Sequence, residues 1–256
     1  MTTISAIIIT HNEEDNIGRC LTSLQGIADE IVVVDSGSTD ATEKICHEHG
    51  VRFVSHKWEG YAGQKNYANS LATKEWTLSI DADEEFSPTL RSTLLMLKKE
   101  AETDTIYAFN RLNNCCGRWI RHCGWYPDSK IRLWPTGTAE WRGDVHEELT
   151  FSKEMEKRTL DGDLLHYTYN TLRDFADRQS RYAELSASEA YRRGKRCPWT
   201  APIVRPLWTF VRNYLFRGGF LDGAAGYTVC RMSAYYTFMK YTNLRQLMLK
   251  EEIKNQ

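Results

Sequence analysis

Ile4-Ser5-Ala6-Ile7-Ile8-Ile9-Thr10 is an apolar run rich in β-branched side chains, and a run of that length predicts a strand buried on both faces of a parallel sheet. A polar loop, His11 to Asp15, follows it. Ile17, Cys20, Leu21 and Leu24 then recur at helical spacing, and Ile31 to Val34 reads as a second buried strand ending in Asp35. This is a β-α-β unit. The turn Ser36-Gly37-Ser38-Thr39-Asp40 opens a helix that closes at Gly50, and Arg52 to Val54 is a third strand. Gly63 to Ala72 reads as helix, Trp76 to Ile80 as a strand ending at Asp81, and Pro88 to Glu100 as a helix with proline in its first turn. The alternation predicts an α/β fold, a mainly parallel central sheet flanked by helices. Ligands are then expected at the C-terminal strand ends, where Thr10, Asp35 and Asp81 fall.

From Thr105 to Tyr169 the spacing becomes irregular, with short strands expected at Ile106 to Phe109, Ile131 to Trp134 and Leu164 to Tyr167 within a mixed sheet. Thr171 and Asp174 form a plausible capping box, after which the chain reads as helical and is expected to break at Pro198, Pro202 and Pro206. The expected organisation is a catalytic domain over 1–170, with halves at 1–100 and 101–170, and a helical C-terminal appendage over 171–256.

The 256 residues suffice for one large α/β domain with such an appendage. A net charge of -1 argues against a general nucleic-acid binder, which needs a basic footprint to displace counterions from phosphates. The seven cysteines have no framework spacing and fit free thiols in a reducing compartment. Cys115-Cys116 with His122-Cys123 fits a zinc site poorly, because structural sites use spaced ligand pairs. Met1 to Ile9 lacks the pattern of a signal peptide, and arginines interrupt every candidate spanning segment in the C-terminal third. The expected location is therefore cytoplasmic, peripheral on the inner face of the cytoplasmic membrane.

Ser79-Ile80-Asp81-Ala82-Asp83-Glu84-Glu85 sets an acidic cluster directly after a strand. Carboxylates so gathered repel one another unless a cation or donor groups sit opposite. Mg²⁺ or Mn²⁺ prefers hard oxygen ligands and commonly takes one or two protein carboxylates, the rest of its shell being substrate phosphate and water. Alone, Asp-x-Asp reads first as a solvated acidic turn capping the next helix.

In this chain the cluster belongs to an ordered set: Ile9-Thr10-His11-Asn12-Glu13-Glu14, Val33-Val34-Asp35-Ser36-Gly37-Ser38-Thr39-Asp40, Gly63-Gln64-Lys65-Asn66 and Asp81-Ala82-Asp83. With these motifs the chain resembles the inverting glycosyltransferase family 2, of GT-A (nucleotide-diphospho-sugar transferase) fold. Trp141 to Glu148 and Leu164 to Tyr167 resemble a subgroup that includes lipopolysaccharide-core glucosyltransferases. The resemblance implies that Thr10, His11, Asn12 and Glu13 line the nucleoside pocket, that Asp35 accepts from the base, and that Lys65 contacts the nucleotide. It assigns Asp81 to the ribose or the metal shell, Asp83 to direct metal contact, and His166 as a possible further ligand. Helix capping by Asn12 and Asp35, a solvated Lys65 and a packed His166 are the alternatives.

Breaking an anomeric C–O bond builds positive charge on the sugar and negative charge on the departing diphosphate. A divalent metal offsets the second, and inversion in one displacement needs a base beside the acceptor hydroxyl. Glu147 is the expected base, with Asp144, Glu148 and Asp128 competing. The Gln-x-x-Arg-Trp signature of processive synthases is missing, so single-residue transfer is expected, from a UDP-sugar to a lipopolysaccharide-core or other lipid-linked glycan. Between Arg192 and Leu221 stand seven basic residues (Arg192, Arg193, Lys195, Arg196, Arg205, Arg212 and Arg217), interleaved with aromatics and free of acidic ones. This pattern suits an anionic membrane surface. It also suits a helical tail packed through its aromatics. A Gly-rich phosphate loop after the first strand, expected of a sugar-nucleotide nucleotidyltransferase, is lacking, and a non-catalytic sugar-nucleotide-binding scaffold at the membrane is the alternative from another class.

Overall fold

The computed structural model describes residues 1–100, 104–143 and 148–254. Four parallel strands, β1 (Ile4–Thr10), β2 (Glu30–Asp35), β3 (Arg52–Ser55) and β4 (Trp76–Ser79), lie in the order β3-β2-β1-β4. The helices α1 (Ile17–Leu24), α2 (Thr42–Glu48), α3 (Gly60–Ser70) and α4 (Pro88–Glu100) follow these strands in the chain, α4 after a short strand, β5 (Glu84–Phe86). The period of two along β1 divides its side chains between two cores. Ile4, Ala6 and Ile8 pack with Leu21, Leu24, Leu90 and Leu94 of α1 and α4, while Ile7 packs with Val32, Val34 and Ala68 of α3. In α1 the expected stripe Ile17, Cys20, Leu21 and Leu24 is the buried face. Each large aliphatic so buried contributes about 1.5–3 kcal/mol of transfer free energy.

Beyond β4 the sheet turns mixed. The strands β6 (Thr105–Cys115) and β8 (Asp128–Pro135) are antiparallel, β8 lies antiparallel to β4, and the order continues through β11 (Glu156–Tyr169) to β5. A short β7 (Arg118–Ile120) pairs with β6, and β9 (Ala139–Arg142) with β10 (Glu148–Phe151) forms a separate ribbon. The sheet is thus parallel where the buried runs predicted it and mixed from β8 onward. Strands β5, β7, β9 and β10 have three or four residues each, too few to register a period in the sequence.

Two compact units form: Met1–Leu112 with Asp128–His166, and Asn113–Pro127 with Tyr167–Gln256. In the first, Gly162 of β11 adopts φ 98°, and a Cβ there would lie 2.2 Å from the Leu90 backbone nitrogen of α4. Alanine would meet both a disfavoured left-handed φ and fixed helix backbone, so Gly162→Ala is expected to cost about 3 kcal/mol and lower Tm by roughly 6–12 °C. A thermal melt unchanged within about 2 °C would refute this account.

The second unit holds α5 (Leu172–Arg192), α6 (Ala201–Val211) and the long α7 (Gly223–Lys254), with α5 and α6 both packed on α7. Thr171 is the N-cap of α5, its hydroxyl accepting from the Asp174 backbone N–H at 3.1 Å. One expectation is corrected here. Pro206 lies inside α6 rather than ending it, although Pro202 falls in the first turn as a helix start favours. A proline ring removes one backbone donor, and the helix passes over that loss into a π turn at Arg212–Phe216.

Candidate active site

The loops after β1 and β2 are laced together by side chains on backbone. Asn12, in the left-handed region at φ 55°, donates its backbone N–H to Ser38 Oγ (2.8 Å) and accepts from the Thr39 N–H through Oδ1 (2.8 Å). The Glu13 N–H donates to Thr42 Oγ1, and the Glu14 carboxylate accepts from the Ala41 N–H. Asp35, buried at the end of β2, accepts from Thr10 Oγ1 and Ser38 Oγ on one oxygen and from the Gly37 and Ser38 N–H groups on the other. Asp35 and Asn12 therefore hold the loops in shape without capping a helix, since the N-caps of α1 and α2 are Asn16 and Ala41. His11 is exposed and lies beside Asn12 (3.3 Å).

The Gly63-Gln64-Lys65-Asn66 stretch points three consecutive side chains at three different neighbours from the middle of α3. Buried Gln64 bonds His56, whose ring stacks on Tyr67 at 3.7 Å. Lys65 Nζ lies 3.8 Å from Asp81 Oδ1 and 4.6 Å from the centre of the Trp141 ring. Asn66 makes a two-bond clamp on the Trp141 backbone, donating to its carbonyl and accepting from its N–H, both at 2.8 Å. Of these, only Lys65 carried a role in the sequence.

The acidic turn after β4 divides into two pairings. Arg132 Nη2 donates to Asp81 Oδ2 (2.7 Å) and to Glu84 Oε1 (2.5 Å), and Glu84 Oε2 accepts the Asp81 backbone N–H. Arg111 Nη1 stands 3.7 Å from the same Glu84 oxygen. Burial opposes ionisation of Asp81, but Arg132 and Lys65 outweigh it and hold that carboxyl well below the usual range. For Glu84 the balance reverses: complete burial, reinforced by Asp81, pushes its carboxyl up against the pull of Arg132. Arg132 reaches this spot because β8 runs antiparallel to β4, one residue beyond the Leu78–Leu133 pair. Sequence reading passed it over, and its signal was a lone arginine inside Ile131-Arg132-Leu133-Trp134.

The second pairing is Asp83 with His166, at 3.1 Å from Oδ2 to Nε2. Far apart in the chain, they meet because β11 pairs antiparallel with β5, setting His166 opposite Glu84. Two ligands about 2.1 Å from one ion and at right angles to each other lie about 3 Å apart, so this carboxylate and imidazole fit a shared Mg²⁺ or Mn²⁺. Among the described residues no group of three such ligands is assembled. Asp81 faces cations instead of joining the pair.

Asp144 and Glu147 lie outside the described residues, between Arg142 and Glu148, which pair across β9 and β10. Glu148 is exposed on β10. Asp128 has one oxygen taken by Arg111 (2.7 and 3.0 Å) and the other by Lys130 (3.0 Å). Burial raises its pKa, but Arg111 and Lys130 more than reverse that and hold it low. A carboxylate so paired is a poor proton acceptor.

The parallel half-sheet, the loops at its C-terminal edge and the acidic turn after β4 define a GT-A fold. A mannosyltransferase from Pyrobaculum calidifontis, solved in complex with GDP-Man and Mn²⁺, superimposes with a TM-score of 0.56 at 16% identity, over 95% of this chain and 87% of that one. Residues 5–168 match the model of glycosyl transferase family 2. The lipopolysaccharide core biosynthesis glycosyltransferase LpsC of Rhizobium meliloti is 30% identical over 95% of this chain and 92% of its own. An uncharacterized glycosyltransferase of Rickettsia typhi is 29% identical over 98% and 89%. This chain belongs to glycosyl transferase family 2.

Proposed function

We propose that this family 2 glycosyltransferase is a non-processive, inverting enzyme that moves a hexose from a UDP-sugar to a lipopolysaccharide-core or other lipid-linked glycan at the cytoplasmic face of the membrane. The observation that carries the donor chemistry is the Asp83–His166 pair at 3.1 Å, an oxygen and a nitrogen ligand at the end of the parallel half-sheet. The likeness to LpsC supports the acceptor class. Residues 1–100 form the donor half and 101–170 the acceptor half of the catalytic domain, with 171–256 as its helical region.

In this reading Asp83 and His166 hold Mg²⁺ or Mn²⁺. When bound, such an ion offsets the charge that develops on the departing diphosphate. Lys65, 3.8 Å from Asp81, contacts the nucleotide and adds a second positive charge on that side, and Asp81 serves the ribose or the metal's water shell. The loop residues Thr10, His11, Asn12 and Glu13 line the nucleoside pocket, and Asp35 fixes that loop and accepts from the base. Glu147, or Asp144 in its place, takes the proton of the acceptor hydroxyl as that oxygen attacks the anomeric carbon from the face opposite the leaving group. One displacement inverts the configuration and requires no covalent sugar–enzyme bond.

Calorimetric titration with UDP-, GDP-, dTDP- and ADP-sugars, each with and without Mn²⁺, tests the donor. One UDP-sugar is expected to bind, at least tenfold more tightly with the metal, a difference of about 1.4 kcal/mol. Preference for another nucleotide would overturn the UDP assignment. Binding of a sugar nucleotide that never leads to turnover with any lipid-linked acceptor would favour the scaffold reading.

A further inference from the structure

The outer face of α6 is apolar and exposed. Ile203, Val204, Leu207 and Trp208 recur at helical spacing along one stripe, and each is more than half exposed (55–65%). The opposite side of the helix is occupied within the same unit: Thr209 Oγ1 contacts Thr237 Oγ1 of α7 at 3.2 Å, and Phe210 stacks with Tyr214 in the core beneath. Trp199 before the helix (70%) and Phe216 after it (72%) are exposed as well, and the Phe216 ring lies 6.0 Å from that of Trp208. Soluble proteins seldom leave so continuous an apolar strip in water unless something covers it.

We propose that this strip inserts into the interfacial layer of an anionic lipid bilayer, with α6 lying in the membrane plane. Charge complementarity selects that occupant. The segment Arg192 to Leu221, which contains α6, holds seven basic residues and no acidic one in a chain of net charge -1; Arg193 and Arg196 pair with Glu189 (2.5 Å) and Glu251 (2.8 Å), and the other five leave the segment with an excess of positive charge. Arg205, on the flank of the stripe, is held in place by its stack on Tyr241 (4.6 Å) and its hydrogen bond to the same hydroxyl (2.7 Å). A second copy docking through this face would bring the two basic segments together, whereas anionic headgroups neutralise them. Trp199 and Trp208 are side chains favoured at the headgroup boundary. Eleven residues of helix span about 16 Å, half the roughly 30 Å of hydrocarbon. Among the described residues no helix is long and apolar enough to cross a membrane, so α6 lies along the surface.

This surface rests on the proposed membrane setting of the reaction, but its test needs no donor, acceptor or metal, so its failure and that of the transferase reading are distinguishable. The full chain is floated with vesicles of phosphatidylcholine alone and with vesicles of equal parts phosphatidylcholine and phosphatidylglycerol. The expected result is flotation with the anionic vesicles only, weakened by salt, and partitioning reduced at least about tenfold by Leu207→Ser with Trp208→Ser. Far-UV circular dichroism checks the fold of that variant. Independently, lipids brominated high on the acyl chain are expected to quench tryptophan fluorescence in the wild type, with most of the quenching lost in Trp199→Phe/Trp208→Phe. Failure to float with either vesicle would overturn the proposal, as would flotation indifferent to the serine substitutions. So would a dimer in sedimentation velocity that those substitutions dissolve and anionic vesicles do not.

Discussion

Arg132→Met is expected to destabilise the protein by about 3 kcal/mol, although methionine packs well in a core and no surface charge is lost. Arg132 is buried at the centre of the acidic turn, and its guanidinium is the nearest cation to both Asp81 and Glu84. Removing one partner of a buried ion pair leaves an uncompensated charge, which typically costs about 3–5 kcal/mol. The lower end applies here, because Lys65 at 3.8 Å from Asp81 and Arg111 at 3.7 Å from Glu84 remain. Adding Glu84→Gln to Arg132→Met is expected to recover about half the loss. The amide oxygen can still accept the Asp81 N–H, and the charge that burial disfavours most is gone. Urea unfolding of the wild type, the single and the double variant checks this. If Arg132→Met stays within about 0.5 kcal/mol of wild type, the guanidinium does not hold the turn together.

Arg132 also marks where sequence reading ran out. The parallel half of the sheet was legible because β1, β2 and β4 are unbroken buried runs, and the stripe of α1 and the Thr171 cap are local patterns that need no tertiary knowledge. The acidic turn was legible as a cluster but not as two pairings. Which carboxylate faces an arginine and which a histidine follows from the β4–β8 and β5–β11 ladders, and β5 is a three-residue strand, too short to register a period, that begins with one of those carboxylates, Glu84. Likewise Lys65 takes its role from the family resemblance, while Asn66, whose side chain completes a backbone pairing with Trp141, has no partner visible in the sequence. Asp35 was singled out as a ligand contact. Its four hydrogen bonds to Thr10, Gly37 and Ser38 give it a structural task that an isolated aspartate after a strand does not announce.

Asp83→Asn is expected to lower kcat by about 10³-fold while leaving Tm within about 2 °C of wild type. The two halves of that expectation have separate causes. Asparagine is isosteric and keeps an oxygen within reach of His166, and the Asp83 side chain is partly exposed, so the fold loses little. The charge lost is the one that would bind the divalent cation opposite the departing diphosphate. A stabilisation of about 4 kcal/mol in the transition state corresponds to about 10³ in rate. His166→Ala removes the other half of the pair but leaves the carboxylate, so its loss is expected to be smaller and to be partly recovered at high Mn²⁺, which Asp83→Asn resists. Steady-state rates across a Mn²⁺ titration, with metal affinity followed by electron paramagnetic resonance, separate the two variants. Turnover by Asp83→Asn within about tenfold of wild type would remove Asp83 from the metal site and shift the role to Asp81, which would then have to release Arg132 to take it up.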